Sequence, residues 1–188
     1  MRATYALTTA FSVLLLATVS CKKSNPGPGS SSAVQGNWNF LFMTASTVAS
    51  ATSSGVTSVT YTNYRTINNT GTVTFTKDSM AVKGLAYSVD TTALTYIYFG
   101  TTLTDSVYFP FKSSVPATTQ TVSYKIIGSD SIYLPNGGIV PAGLTGPGTG
   151  TGGRFAITND TLKITVQASQ SASGASESVK GTIYMKRQ

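Results

Sequence analysis

Apolar residues recur at every second position along much of this chain. A run with that period can bury one side only as a β-strand, with its alternate side chains facing water. Trp38, Phe40 and Phe42 are spaced by two, as are Val73 and Phe75. So are Val107, Phe109 and Phe111; Val122, Tyr124 and Ile126; Leu162, Ile164 and Val166; and Ile183 and Met185. Outside the first twenty residues no apolar run has helical period. The alternation predicts an all-β domain, an antiparallel barrel or sandwich. Trp38, Phe40, Phe42, Phe75, Phe109, Phe111, Ile126, Phe155, Ile157, Leu162, Ile164 and Ile183 are its expected core. Ala45 to Ser54, rich in Ala, Ser and Thr, reads as a short helix or a loop, and Gln167 to Ser178 as a polar loop.

A short internal repeat marks the hairpins. Thr74–Met80, Lys125–Ile132 and Phe155–Leu162 share one plan: a strand ends, a polar turn carries Asp, and Ser or Thr opens the next strand. Asp and Asn suit such turns because their side chains bond nearby backbone groups and tolerate unusual dihedrals.

The chain opens differently. Arg2 precedes an apolar run from Ala6 to Ala17, small residues follow at Thr18 and Ser20, and Cys21 comes next. That order reads as a secretory signal over residues 1–20, too short for a stable membrane span. It resembles the signal of bacterial lipoproteins, whose cysteine is lipidated, and Cys21 is the only cysteine in the chain. Residues 21–33 then form a tether dense in Pro, Gly and Ser, and residues 34–188 the folded domain. Lys22 and Lys23 stand where related surface-exported lipoproteins carry acidic runs. The resemblance therefore implies a lipid anchor in the outer membrane, with the domain on the periplasmic side.

Composition excludes several chemistries. The chain has no histidine and six acidic residues, so neither a Ser-His-Asp nor a Cys-His site can form. A zinc site would need carboxylates alone, and no glycine-rich phosphate loop joins a strand to a helix. Neither metal nor cofactor is expected, and no enzyme activity. Removing Arg2 leaves 12 basic against 6 acidic side chains. The basic residues are scattered beyond Lys22-Lys23 and Lys186-Arg187, whereas nucleic-acid binding normally shows a basic stripe.

Gly36-Asn37-Trp38 at the first strand resembles the Gly-x-Trp signature of lipocalins. Gly181–Arg187 resembles the last strand of small lipocalin-like bacterial lipoproteins, as do the hairpin at Tyr124-Lys125-Ile126 and the pair Phe155-Ala156-Ile157 and Asp160-Thr161-Leu162. The resemblance implies a lipocalin-like barrel whose base is closed by Gly36 and Trp38, with Lys186 or Arg187 packed over the indole. It also implies a small hydrophobic or amphipathic ligand at the barrel mouth. The segment Pro135–Gly153 is dense in Gly and Pro around Ile139, Val140 and Leu144, an apolar centre suited to a lid. The alternative is a non-catalytic structural or protein-interaction module of the envelope, with tyrosines such as Tyr61, Tyr64, Tyr96 and Tyr98 outward. Finally, Ser79, Thr91, Ser106, Ser131 and Thr161 each follow an Asp. This resembles the Asp-Ser/Thr site that some Gram-negative bacteria O-glycosylate, although turn chemistry predicts the same pattern.

Overall fold

The computed structural model describes residues 31–135 and 150–188. One helical turn, α1 (Ser31–Val34), precedes ten strands. They are β1 (Gly36–Ser53), β2 (Val56–Arg65), β3 (Ile67–Phe75), β4 (Ser79–Phe99), β5 (Thr102–Ser123), β6 (Lys125–Ile127), β7 (Ser131–Leu134), β8 (Thr151–Thr158), β9 (Thr161–Ala172) and β10 (Ala175–Arg187). All pairings are antiparallel and all ten strands belong to one sheet. The alternating sequence thus builds the antiparallel β-domain it predicts.

Four strands form a ring of pairings, because β1 and β4 each pair with both β2 and β3. The physical reason is that β2 runs on into β3 through Thr66. The Thr66 amide donates to the Met43 carbonyl at 2.9 Å, and its hydroxyl accepts from the Met43 amide at 2.9 Å. Gly71 sits in this second course with φ 110°, and a Cβ there would come within 2.5 Å of the Leu85 Cα. No side chain fits so close to a neighbouring backbone. In the same way β5 runs into β6 through Tyr124. Its amide donates to the Asp78 carbonyl at 3.2 Å and its hydroxyl to the Thr76 carbonyl at 2.5 Å.

The three repeats are hairpin turns, β3–β4, β6–β7 and β8–β9. At the last, Asn159 (φ 48°) and Asp160 (φ 59°) both adopt left-handed backbone, as a two-residue hairpin turn of matching twist requires. Asp90 and Asp105, by contrast, lie inside β4 and β5 rather than in turns.

The core is continuous. Trp38, Phe40, Phe75, Phe155, Leu162, Ile164 and Ile183 are buried as expected, together with Met43, Tyr64, Met80, Tyr87, Ile132 and Met185. Phe111, Ile126 and Ile157 pack against the cluster from partly buried positions. Phe42 is a correction. A bulge between Phe40 and Phe42 shifts the register, so Met43 takes the inward place and Phe42 turns to the outer face. There it stacks on Tyr184 at 4.5 Å between centroids, and the Arg65 guanidinium lies 3.7 Å above it. Phe109 is a second correction. It has the inward phase but is 37% exposed, because β5 continues past the end of the core.

That overrun is general. The β1–β2, β4–β5 and β9–β10 hairpins extend beyond the core on the side away from the β8–β9 turn. The Ala45–Ser54 segment is therefore strand rather than helix or loop, and Gln167–Ser178 is a hairpin rather than a loop. At the tip Val56, Phe99, Leu103, Val107 and Tyr108 are exposed.

Candidate binding site

Two constellations lie at opposite ends of the core. At the base, near the start of β1, Trp38 is fully buried and its indole Nε1 donates to the Val34 carbonyl at 2.8 Å. The Arg187 guanidinium carbon lies 4.3 Å from the ring centroid. Its Nη1 donates to the Gln35 carbonyl at 3.1 Å and its Nη2 to the Ala33 carbonyl at 2.8 Å. Gly36 has φ 122°, and a Cβ there would press on Arg187 Nη1 at 3.1 Å. The structure thus brings Gly36, Trp38 and Arg187 together. Lys186 points elsewhere, donating to the Asn159 carbonyl at 3.2 Å.

At the other end the core meets the hairpin extension. β1 places Ala45 inward, β2 Tyr64 beside it, and β10 Gly181 and Val179. Above them the inner face carries Ala49 and Ala51 of β1, Ser58 and Thr60 of β2, and Ala172 and Ala175 of the β9–β10 hairpin. Their small side chains leave an open groove of about 480 Å³, edged by Gln170 and Glu177. Gln170 Nε2 donates to the Glu177 carboxylate at 3.1 Å.

Tyr64 sits at the foot of this face. It is 8% exposed, yet its hydroxyl has no hydrogen-bond partner among the described residues. Burial, then the neighbouring Tyr87 and the Glu177 carboxylate, push its pKa up to about 12. The hydroxyl therefore stays protonated as a donor throughout the physiological range. A buried polar group left unpaired costs about 1–3 kcal/mol, so a partner at this point is worth having. The sequence placed Tyr64 outward with Tyr61, Tyr96 and Tyr98. The pairing of Tyr64 with the inward Ala45 puts it inside, whereas Tyr61 is exposed and Tyr96 and Tyr98 are half-buried. Thr62, two residues earlier and also buried, carries the same period-two signal, which could have found both.

No family model matches the chain, and no curated protein and no solved structure is similar to it.

The remaining residues singled out by sequence do not converge. Cys21, and Ile139, Val140 and Leu144, lie outside the described residues. Ser79 and Thr161 open strands after the β3–β4 and β8–β9 turns, and Ser131 does so after β6–β7. The Ser79 hydroxyl is 2.8 Å from that of Thr76, and Ser131 Oγ donates to Asp130 Oδ1 at 3.3 Å. Thr91 lies within β4, its hydroxyl donating to the Asn63 carbonyl at 2.9 Å, and Ser106 is exposed on β5. Among the described residues no group of three or more His, Cys, Asp or Glu side chains gathers as a metal site would require. No helix there is long and apolar enough to cross a membrane, which says nothing of strands.

Proposed function

We propose that this protein is a lipid-anchored envelope lipoprotein with a small lipocalin-like barrel, which binds an amphipathic ligand at its mouth. Counting β2 with β3 and β5 with β6 leaves eight strands, each paired to the next, with β10 paired back to β1. An eight-stranded up-and-down barrel has this order, and its interior can be filled by side chains or hold one small ligand. The Trp38–Arg187 contact supports the lipocalin-like reading, because the family resemblance asks for a basic residue over that tryptophan. The anchor is Cys21, in the outer membrane and facing the periplasm.

One observation carries the ligand reading: the buried, partnerless Tyr64 hydroxyl, one inward layer (Thr47 and Thr62) beneath an open groove whose lining includes four alanines. The base half of the interior is filled by Trp38, Phe75, Met80 and their neighbours, so the ligand belongs in the mouth and along the groove. Its apolar part lies on Ala49, Ala51, Ala172 and Ala175, and its polar end accepts from Tyr64. The Ile139–Leu144 segment joins β7 to β8 and is the proposed lid.

The test is native mass spectrometry of the purified full chain, followed by titration with a fluorescent amphiphile such as anilinonaphthalenesulfonate. A co-purifying amphiphile is expected, with weaker probe binding in Tyr64→Phe and after deletion of residues 138–150. An empty protein with probe binding unchanged in both variants overturns the proposal. A second reading, a non-catalytic structural or protein-interaction module of the envelope, has one observation in its favour. The β4–β5 tip exposes Phe99, Leu103, Val107 and Tyr108, more apolar surface than scattered single residues require.

A further inference from the structure

We propose that the outer face of β8, β9, β10, β1 and β2 is a second binding surface, built for an anionic saccharide chain laid across the strands. The pairing register sets one row of side chains on this face. Arg154 pairs with Thr165, Thr165 with Thr182, Thr182 with Thr44, and Thr44 with Arg65. Four strand spacings of about 4.8 Å give the row a length of roughly 19 Å. Three hydroxyls thus stand in line between two guanidinium groups, and those of Thr165 and Thr182 are 3.1 Å apart. One step toward the tip, Lys180 pairs with Ser46 and Ser46 with Asn63. A shallow groove of about 620 Å³ runs here, lined by Thr44, Ser46, Asn63, Arg65, Lys180 and Thr182.

Charge and shape select the ligand class. The carboxylate at the groove is Asp90, and Lys112 neutralises it at 3.0 Å. At the far end of the row Arg154 is paired with Asp130 at 3.1 Å, whereas Arg65 and Lys180 form no ion pair among the described residues. The groove is therefore net positive and needs an anion. Its remaining lining is hydroxyl and amide, which both donate and accept, as sugar hydroxyls do. Stacking ligands are disfavoured. Phe42 and Tyr184 cover one another's faces, Arg65 caps the free face of Phe42, and Lys163 approaches Tyr184 at 5.6 Å. Along the row itself these contacts leave no aromatic face for a nucleobase, on which single-stranded nucleic acid depends; Tyr61, farther along β2, is exposed and meets Tyr96 edge-on. Arg65, held 3.7 Å above Phe42, has N–H groups to offer a carboxylate or phosphate on the saccharide. Ala45 and Tyr64 also border this groove, but the pairing register turns their side chains to the inner face.

The experiment measures fluorescence anisotropy of labelled polygalacturonate oligomers with the full chain in detergent. Neutral dextran and single-stranded DNA serve as comparison ligands. Binding of the uronate and not of dextran is expected. The pair Arg65→Gln and Lys180→Gln should weaken it roughly tenfold or more, the loss of charge-assisted contacts. Thr44→Val with Thr182→Val, which keeps charge and strand shape, should weaken it several-fold. Lys83→Gln, a charge removed from β4 at a distance, should leave it unchanged. A second arm uses vesicles bearing either a uronic-acid glycolipid or phosphatidylglycerol. Preference for the glycolipid, lost in the same variants, places the saccharide on a lipid; binding of the free oligomer alone makes it a free polymer. Equal binding of DNA or phosphatidylglycerol, or insensitivity to the threonine pair, overturns the proposal, because net charge alone then accounts for binding.

Discussion

Replacing Arg187 by Met keeps the aliphatic stem over the Trp38 indole and removes three interactions. Two are hydrogen bonds from a charged donor to the Ala33 and Gln35 carbonyls, and the third is the approach of 4.3 Å to the ring. Hydrogen bonds to charged groups contribute about 1.5–3 kcal/mol each, and cation–π contacts about 0.5–2 kcal/mol. Arg187 is half-buried, so solvent screens part of this, and the loss expected is about 2–3 kcal/mol. For a domain of this size that corresponds to about 2–4 °C of melting temperature per kcal/mol. Urea unfolding of a Cys21→Ser chain reads it directly, as a lower midpoint at unchanged slope. Arg187→Lys keeps the charge but cannot reach both carbonyls, and should fall between the two. The partners are carbonyls and a ring rather than carboxylates, so the loss should persist in high salt. A loss below about 0.5 kcal/mol, the range of ordinary surface substitutions, or one that vanishes with salt, would refute the assignment of Arg187 as the base clamp.

Phe40→Ala should cost about 3–5 kcal/mol, whereas Phe42→Ala, on the outer face beyond the bulge, should cost about 1 kcal/mol; equal losses in urea unfolding would contradict the bulge. Tyr64→Phe removes an unpaired buried hydroxyl and should leave the ligand-free protein as stable or more so. Because burial raises the Tyr64 pKa from 10.0 to about 12, the folded state holds this proton where the unfolded chain releases it. Its contribution is full below pH 10 and is lost as pH rises toward 12, so wild-type stability should fall across that window more steeply than that of Tyr64→Phe. Parallel slopes in alkaline denaturation would count against a buried hydroxyl. For the proposed anchor, Cys21→Ser should abolish acyl labelling and release the protein from membranes; a wild type that is itself unlabelled and soluble rules out lipidation.

The period-two runs carried the fold class, because burial of one strand face is written directly in side-chain order. Leu162, Ile164, Val166 and Ile183 show it without exception. The three Asp-bearing turns were equally legible, since their backbone needs are local. Phe42 was not, because a bulge adds one residue to a strand and leaves the alternation of the sequence itself intact. The hairpin tips escaped for another reason. Ala45–Ser54 and Gln167–Ser178 have no apolar period, as past Ala45 and Ala168 neither of their faces reaches the core, and they form hairpin strands because paired neighbours satisfy their backbone. Tyr64 shows the same limit at the site: its phase was readable, but its lack of a hydroxyl partner depends on which strands surround it.

The pairing of β1 with β10 along thirteen residue pairs joins the first strand to the last. A ribosome delivers β1 long before its partner exists, and Arg187, which clamps Trp38, comes still later. Non-local pairing of this kind makes folding slow, because the intervening loop must close before its contacts form. An emerging chain can zip the hairpins from β1 to β9 in turn, yet Trp38 keeps one flank uncovered until β10 arrives. The nascent protein is thus held open by its own topology, a state that leaves chains truncated before β10 exposed to proteases.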